Sequence, residues 1–201
     1  MLAGLLSVAA ASSPQPVAGD CAGSGGEQPT RCLYRSAFPS TGLVSDCRTE
    51  RDCRVGYYYG DPEKPVWLAP PADLPTLPKP DVIWRAATFA EIRFACGAAC
   101  HVSYFFEAKR RRLSPPRNQV LDVDLRRLLV AQEDGRDLAV RQIFSGREVA
   151  RITRDWTSGP SLASALTEIH FDPDGRLTFT WLKGKDRTAV TERVSVPSIP
   201  R

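Results

Sequence analysis

Thr167-Glu-Ile-His-Phe-Asp-Pro-Asp-Gly175-Arg-Leu-Thr-Phe-Thr-Trp181 decides the fold of this chain. Thr167, Ile169 and Phe171 alternate with Glu168 and His170, the period of a strand with one buried face. Asp172-Pro-Asp-Gly175 has proline second and glycine fourth, as a type I turn followed by a bulge prefers. Leu177, Phe179 and Trp181 then alternate with Arg176, Thr178 and Thr180. Beyond Gly184-Lys-Asp186, Val190, Val194 and Val196 fall on one face and Thr191, Arg193 and Ser195 on the other. The stretch reads as a three-stranded antiparallel meander with one wet face.

The same grammar extends towards the N-terminus. Leu128 to Gln132 meets Leu138 to Phe144 through Asp134-Gly135, and that segment meets Val149 to Ile152 through Ser145-Gly146. Ile92 to Ala95 and Val102 to Phe106 flank Cys96-Gly-Ala-Ala-Cys100, and the basic run Lys109-Arg-Arg-Arg112 makes the next turn. The only helix candidate, Leu162 to Thr167, is short. Residues 82–201 are therefore expected to form an all-β domain: an antiparallel meander of hairpins arranged as a sandwich, a barrel or a propeller-like array.

Residues 61–81 differ in kind. Seven prolines fall between 61 and 80, a density that excludes helix and central strand and favours an extended connector. Trp67 and Leu68 are the residues expected to pin it to the domain surface. Residues 19–60 hold four cysteines and show no helical period, and are expected to be irregular backbone stapled by disulfides. Tyr57-Tyr-Tyr59 closes this segment, with alternate rings expected to cover the main domain.

The six cysteines, Cys21, Cys32, Cys47, Cys53, Cys96 and Cys100, lie behind an apolar stretch from Met1 to Ala11. That stretch has the length of a signal-peptide core and ends in Ala9-Ala10-Ala11, so residues 1–18 are expected to be a leader. An even set of cysteines behind a leader points to a periplasmic or secreted protein with disulfides. Cys96–Cys100 is the expected local bridge, closing one tight loop, and Cys21–Cys32 with Cys47–Cys53 is the most local arrangement of the rest. Cys21–Cys47 with Cys32–Cys53 is the other. Of the 27 basic residues only five are lysine, an arginine bias typical of a GC-rich bacterial genome.

Few residues carry chemistry. The two histidines restrict any Ser-His-Asp site to His101 or His170, and there is no Gly-x-Ser-x-Gly or Ser-x-x-Lys. Asp172 and Asp174 are accounted for by their turn, and Asp122 and Asp124 share one face of a short strand. The Cys96/Cys100 spacing is similar to that of Cys-x-x-x-Cys copper-delivery proteins. Here, however, Val102 to Phe106 reads as strand where those proteins have helix, and the proline that follows their motif is absent. No catalytic residue, cofactor or metal is therefore assigned.

The expectation is an exported, non-catalytic, disulfide-stabilised β protein, inhibitor- or immunity-like, that binds a cell-envelope macromolecule. Its partner would be an envelope protein or an anionic envelope polymer. A net charge of +4 is too modest to imply nucleic acid, and no stretch is long and apolar enough for a transmembrane helix. The candidate binding surface is His101, Lys109, Arg110, Arg111 and Arg112, with Arg117, Arg126 and Arg127 extending the cationic patch. The alternatives are an envelope enzyme whose site assembles from distant residues, or a copper-handling protein using Cys96, Cys100 and His101.

Overall fold

The computed structural model describes residues 19–22, 30–71, 74, 76–97, 100–156, 161–184 and 186–197. The expected leader over 1–18 lies outside the described residues. Four antiparallel sheets follow one another along the chain, each built by hairpins. The first contains β1 (Asp20–Ala22), β2 (Thr30–Arg35), β3 (Thr41–Thr49), β4 (Asp52–Tyr59) and β5 (Val66–Trp67), in that order. The second contains β6 (Asp81–Ala86), β7 (Phe89–Gly97), β8 (Cys100–Glu107), β9 (Arg112–Leu113) and β10 (Arg117–Asn118), with both β9 and β10 on β8. The third runs β11 (Val120–Asp124), β12 (Leu129–Asp134), β13 (Asp137–Gln142) and β14 (Glu148–Ile152). A single helical turn, α1 (Leu162–Ala165), precedes the fourth: β15 (Leu166–Phe171), β16 (Arg176–Lys183) and β17 (Thr188–Ser195).

The fourth sheet is the meander read from the sequence. Phe171 opposes Leu177, Ile169 opposes Phe179, and Trp181 opposes Val190. Gly175 takes φ +86 and donates its N–H to Asp172 O, which is why glycine ends this turn.

Three apolar cores join the sheets in chain order. Cys32, Tyr34, Leu43 and Val55 of the first sheet meet Ile92, Phe94, Tyr104 and Phe106 of the second. Phe89 and Phe105, on the opposite face of the second sheet, meet Val130 and Ile143 of the third. Leu129, Ala131 and Leu138, on the third sheet's other face, meet Leu177, Phe179 and Trp181 of the fourth. Sheets packing face to face in succession match the propeller-like alternative. Inner strands are consequently buried on both faces, so that Leu129, Val130 and Ala131 are buried consecutively.

The cysteine-rich segment differs from the expectation. Among the described residues, Asp20–Ala22, Thr30–Arg35, Thr41–Thr49 and Asp52–Tyr59 are regular strands, not irregular backbone. The expected bridges form: Cys21 is bonded to Cys32 and Cys47 to Cys53, each pair directly opposed across two strands. Cys32, Cys47 and Cys53 are themselves buried. They supply inward-facing apolar positions that count towards strand period once cysteine is scored as apolar. The proline-rich connector holds to the first sheet, built by the segment before it. Val66 and Trp67 add the edge strand β5, Leu68 and Leu77 enter the first core, and Arg31 Nη2 donates to Pro62 O (2.8 Å). β4 approaches this strap so closely that a Cβ at Gly56 would lie 2.8 Å from Val66 O. Tyr57 and Tyr59 pack on Phe106, and so cover the core as expected.

The second sheet also encloses a carboxylate. Glu91 is fully buried, ion-paired to Arg85 (2.5 Å) and Arg93 (3.0 Å), and accepts from the Ser103 hydroxyl (2.7 Å). Burial alone would push this carboxyl up. The two guanidiniums and the hydroxyl outweigh burial, so its pKa lies below the ordinary carboxylate range. Among the described residues, no helix is long and apolar enough to cross a membrane.

Candidate functional site: an arginine cleft between two sheets

Two turns from different sheets converge on one cleft. The first, between β8 and β9, closes with the Arg111 N–H on Ala108 O and holds Arg111 at φ +50. It sends its arginines in different directions. Arg112 crosses to the third sheet, where its guanidinium lies 3.7 Å from the Phe144 ring centroid. Arg112 Nε donates to Glu107 Oε2 (2.7 Å), and Arg110 Nη1 stands 3.4 Å from Glu107 Oε1. Arg111 turns back over Tyr59 of the first sheet, 5.1 Å from its ring.

The second turn, between β11 and β12, is organised by Asp124. Its nearly buried carboxylate accepts from the backbone N–H groups of Arg126 and Arg127, and from Arg127 Nε (2.6 Å). This Asx-type turn is the local reason an aspartate precedes the two arginines. Arg127 Nη1 donates to Val196 O, and Arg126 Nη2 donates to Pro173 O (2.8 Å), so both reach towards the fourth sheet. Arg127 Nη2 is buried without an acceptor.

The cleft between these turns measures about 750 Å³. Arg110, Arg112, Arg126 and Arg127 line it, with Glu107 as the single acidic lining residue among the described residues. Its apolar lining includes Phe89, Phe144, Leu125 and Leu128. Phe89 and Phe144 meet edge to face, 6.1 Å between centroids. Guanidiniums around an apolar floor suit anionic groups, which arginine binds through paired N–H donors. Glu107 is tied to Arg110 and Arg112, and Asp124, behind the other turn, to Arg127.

The structure divides the surface expected from sequence. Arg110 and Arg112 line the cleft and Arg126 and Arg127 join them, whereas Lys109 and Arg111 lie outside its lining. Arg117 does not extend the patch. It is buried and spends its guanidinium on backbone carbonyls, with Nη2 2.6 Å from Ile143 O. His101 sits near the opposite end of β8, six residues from Glu107, which puts it roughly 20 Å away along an extended strand. Its Nε2 lies 2.9 Å from Val120 O. Burial, and then Arg93, lower its pKa, which favours the neutral ring.

The other candidates are engaged elsewhere. The Cys96 and Cys100 sulfurs are bonded to each other, so the copper alternative's thiols are both occupied. His170 is half-exposed between Glu168 (3.4 Å) and Asp172 (3.3 Å), and the Thr178 hydroxyl opposite it donates to Asp172 rather than facing the ring. Asp122 accepts from the Phe171 N–H (2.7 Å) and so ties the third sheet to the fourth. Asp172 and Asp174 hold Arg193.

Glu107, Phe89, Phe144, Leu125 and Leu128 were not among the sequence candidates. The single available signal was Phe144, which precedes the Ser145-Gly146 turn and so sits at a strand end. No protein-family model, curated protein sequence or solved structure matches the chain.

Proposed function

We propose that this chain is an exported, non-catalytic binding protein, inhibitor- or immunity-like in kind, that docks a negatively charged cell-envelope macromolecule in the arginine cleft. One observation carries the reading: four arginines from two separate turns converge on one concave surface whose only acidic lining residue, among the described residues, is Glu107. Export is supported by the three disulfides, which fit an oxidising compartment, together with the apolar stretch Met1 to Ala11. Binding is favoured over catalysis because, among the described residues, the lining contains no histidine and no pair of free carboxylates.

The test compares envelope extract captured on the wild type with that captured on the triple variant Arg110→Ser/Arg112→Ser/Arg126→Ser. Arg111→Ser serves as the control, since Arg111 stacks on Tyr59 outside the cleft. A partner retained by wild type and Arg111→Ser but lost by the triple variant supports the reading. Identical capture by all three removes the cleft from the account.

A further inference from the structure

We infer that the occupant of the cleft is an acidic segment of a partner protein, with carboxylates flanking an aromatic or branched aliphatic side chain. This rests on the proposed reading of the cleft as the binding site. The two most exposed arginines stand on opposite walls: the Arg110 side chain is 63% exposed on the second sheet's turn and the Arg126 side chain 64% exposed on the third sheet's turn. Arg112 and Arg127 are more buried and already braced, by Glu107 and Phe144 in one case and by Asp124 and Val196 O in the other. An incoming ligand therefore meets one exposed guanidinium on each wall first, Arg110 with its Nη1 3.4 Å from Glu107 and Arg126 with its Nη2 on Pro173 O.

Apolar surface lies between the walls. Phe89, Phe144, Leu125 and Leu128 belong to the same lining as the arginines. A polyphosphate or a polyuronate has charge for the arginines and little that gains from contact with Phe144, Leu125 and Leu128, the partly exposed apolar lining above the buried Phe89. A peptide with an acid–apolar–acid pattern satisfies both features. Its carboxylates take bidentate hydrogen bonds from guanidinium forks, and its apolar side chain buries against the floor. Arginine with aromatic side chains and few acidic ones is also the composition of protein–protein interface centres. The volume of about 750 Å³ falls within the size range of concave sites that engulf a small ligand.

Glu107 occupies one wall. Its carboxylate sits between Arg110 and Arg112, so a ligand group entering on that side must replace or share it. On the opposite wall Asp124 plays the same part, 2.6 Å from Arg127 Nε and 4.0 Å from Arg126 Nε.

The experiment uses the full chain and three probes measured by fluorescence anisotropy: the pentapeptide Glu-Glu-Phe-Glu-Glu, the pentapeptide Glu-Glu-Ser-Glu-Glu, and a short polyphosphate of similar charge as competitor. The expected result is at least tenfold tighter binding of the phenylalanine peptide than of the serine peptide. Arg110→Ser/Arg126→Ser should reduce that affinity at least tenfold with an unchanged circular dichroism spectrum, since both side chains are exposed. Polyphosphate should displace the peptide only at higher concentration. Equal affinity of the two peptides, tighter binding of polyphosphate, or no binding of either peptide overturns the inference. Those results leave the cleft itself standing if the triple variant still loses its envelope partner. Capture unaffected in the triple variant sinks both.

Discussion

The Arg112 guanidinium lies 3.7 Å from the centroid of the Phe144 ring, across the boundary between the second and third sheets. The contact does two things. It braces a cation at the edge of the cleft, and it fixes Phe144 against Phe89 as part of the apolar floor. Phe144→Ala removes both. The expected cost is about 2 kcal/mol of stability, since the ring is half-buried and contributes packing as well as the cation–π contact. Peptide affinity should fall by about tenfold. Urea unfolding and anisotropy on the same variant check the two effects together, and Phe144→Leu should recover most of the stability but less of the affinity.

Arg117 joins the same two sheets through backbone. Its Nε and Nη2 both donate to Ile143 O, at 3.1 and 2.6 Å. Arg117→Met keeps the aliphatic stem and leaves that carbonyl without its charged donors. Urea unfolding should show a loss of about 2–3 kcal/mol with an unchanged denaturant slope. A loss below about 0.5 kcal/mol would mean that the lock between the sheets is apolar alone.

Asp122 gives a pH signature. Burial raises its pKa, opposed by the Phe171 and Val123 N–H groups and by the nearby Arg85 and His170 charges. The native state therefore holds this proton more tightly than the unfolded chain does. Its contribution is fully present below the unfolded aspartate range near pH 4 and is lost as pH rises through the raised value. Asp122→Asn retains an oxygen to accept from Phe171 N–H and carries no charge. It should be as stable as wild type or more so at about pH 7, with the difference vanishing near pH 3. Stability curves for the two proteins across this range decide it, and a variant that is weaker at neutral pH and equal in acid would contradict the assignment.

The disulfides should separate by depth. Cys47 and Cys53 are buried in the first sheet, whereas Cys96 and Cys100 close a short loop at the end of β7 and β8. Cys96→Ser/Cys100→Ser removes only a small loop-closure entropy and should cost about 2 kcal/mol. Cys47→Ser/Cys53→Ser adds two buried hydroxyls and should cost about 4 kcal/mol. Neither should alter peptide binding, because both bridges lie away from the cleft lining. Thermal unfolding and anisotropy test both statements.

The fourth sheet was legible because one of its faces is wet. Thr178, Thr180 and Thr191 alternate with Leu177, Phe179, Trp181 and Val190, so period two survives in the sequence. The first sheet was not legible, for two reasons. Its central strand carries Leu43, Val44 and Ser45 buried in succession, which erases the alternation. Its inward positions at Cys32, Cys47 and Cys53 also read as staples before they read as core. For the site, sequence identified the charge but not the place. Arg110, Arg112, Arg126 and Arg127 are visible as runs, but only the turns at Arg111 and Asp124 determine which of them face each other. Arg117, equally basic by sequence, was consumed by two carbonyls that no local pattern announces.

Site-specific photo-cross-linking tests the central claim most directly. A benzophenone side chain is placed at Ser145, which lines the cleft, and separately at Thr191, an exposed position on the fourth sheet's outer strand. Each protein is then irradiated in intact cell envelope. The account predicts a discrete protein adduct from Ser145, abolished by Arg110→Ser/Arg126→Ser, and none of that mass from Thr191. The same adduct from both positions, or an adduct from Ser145 that survives loss of the two arginines, would contradict it.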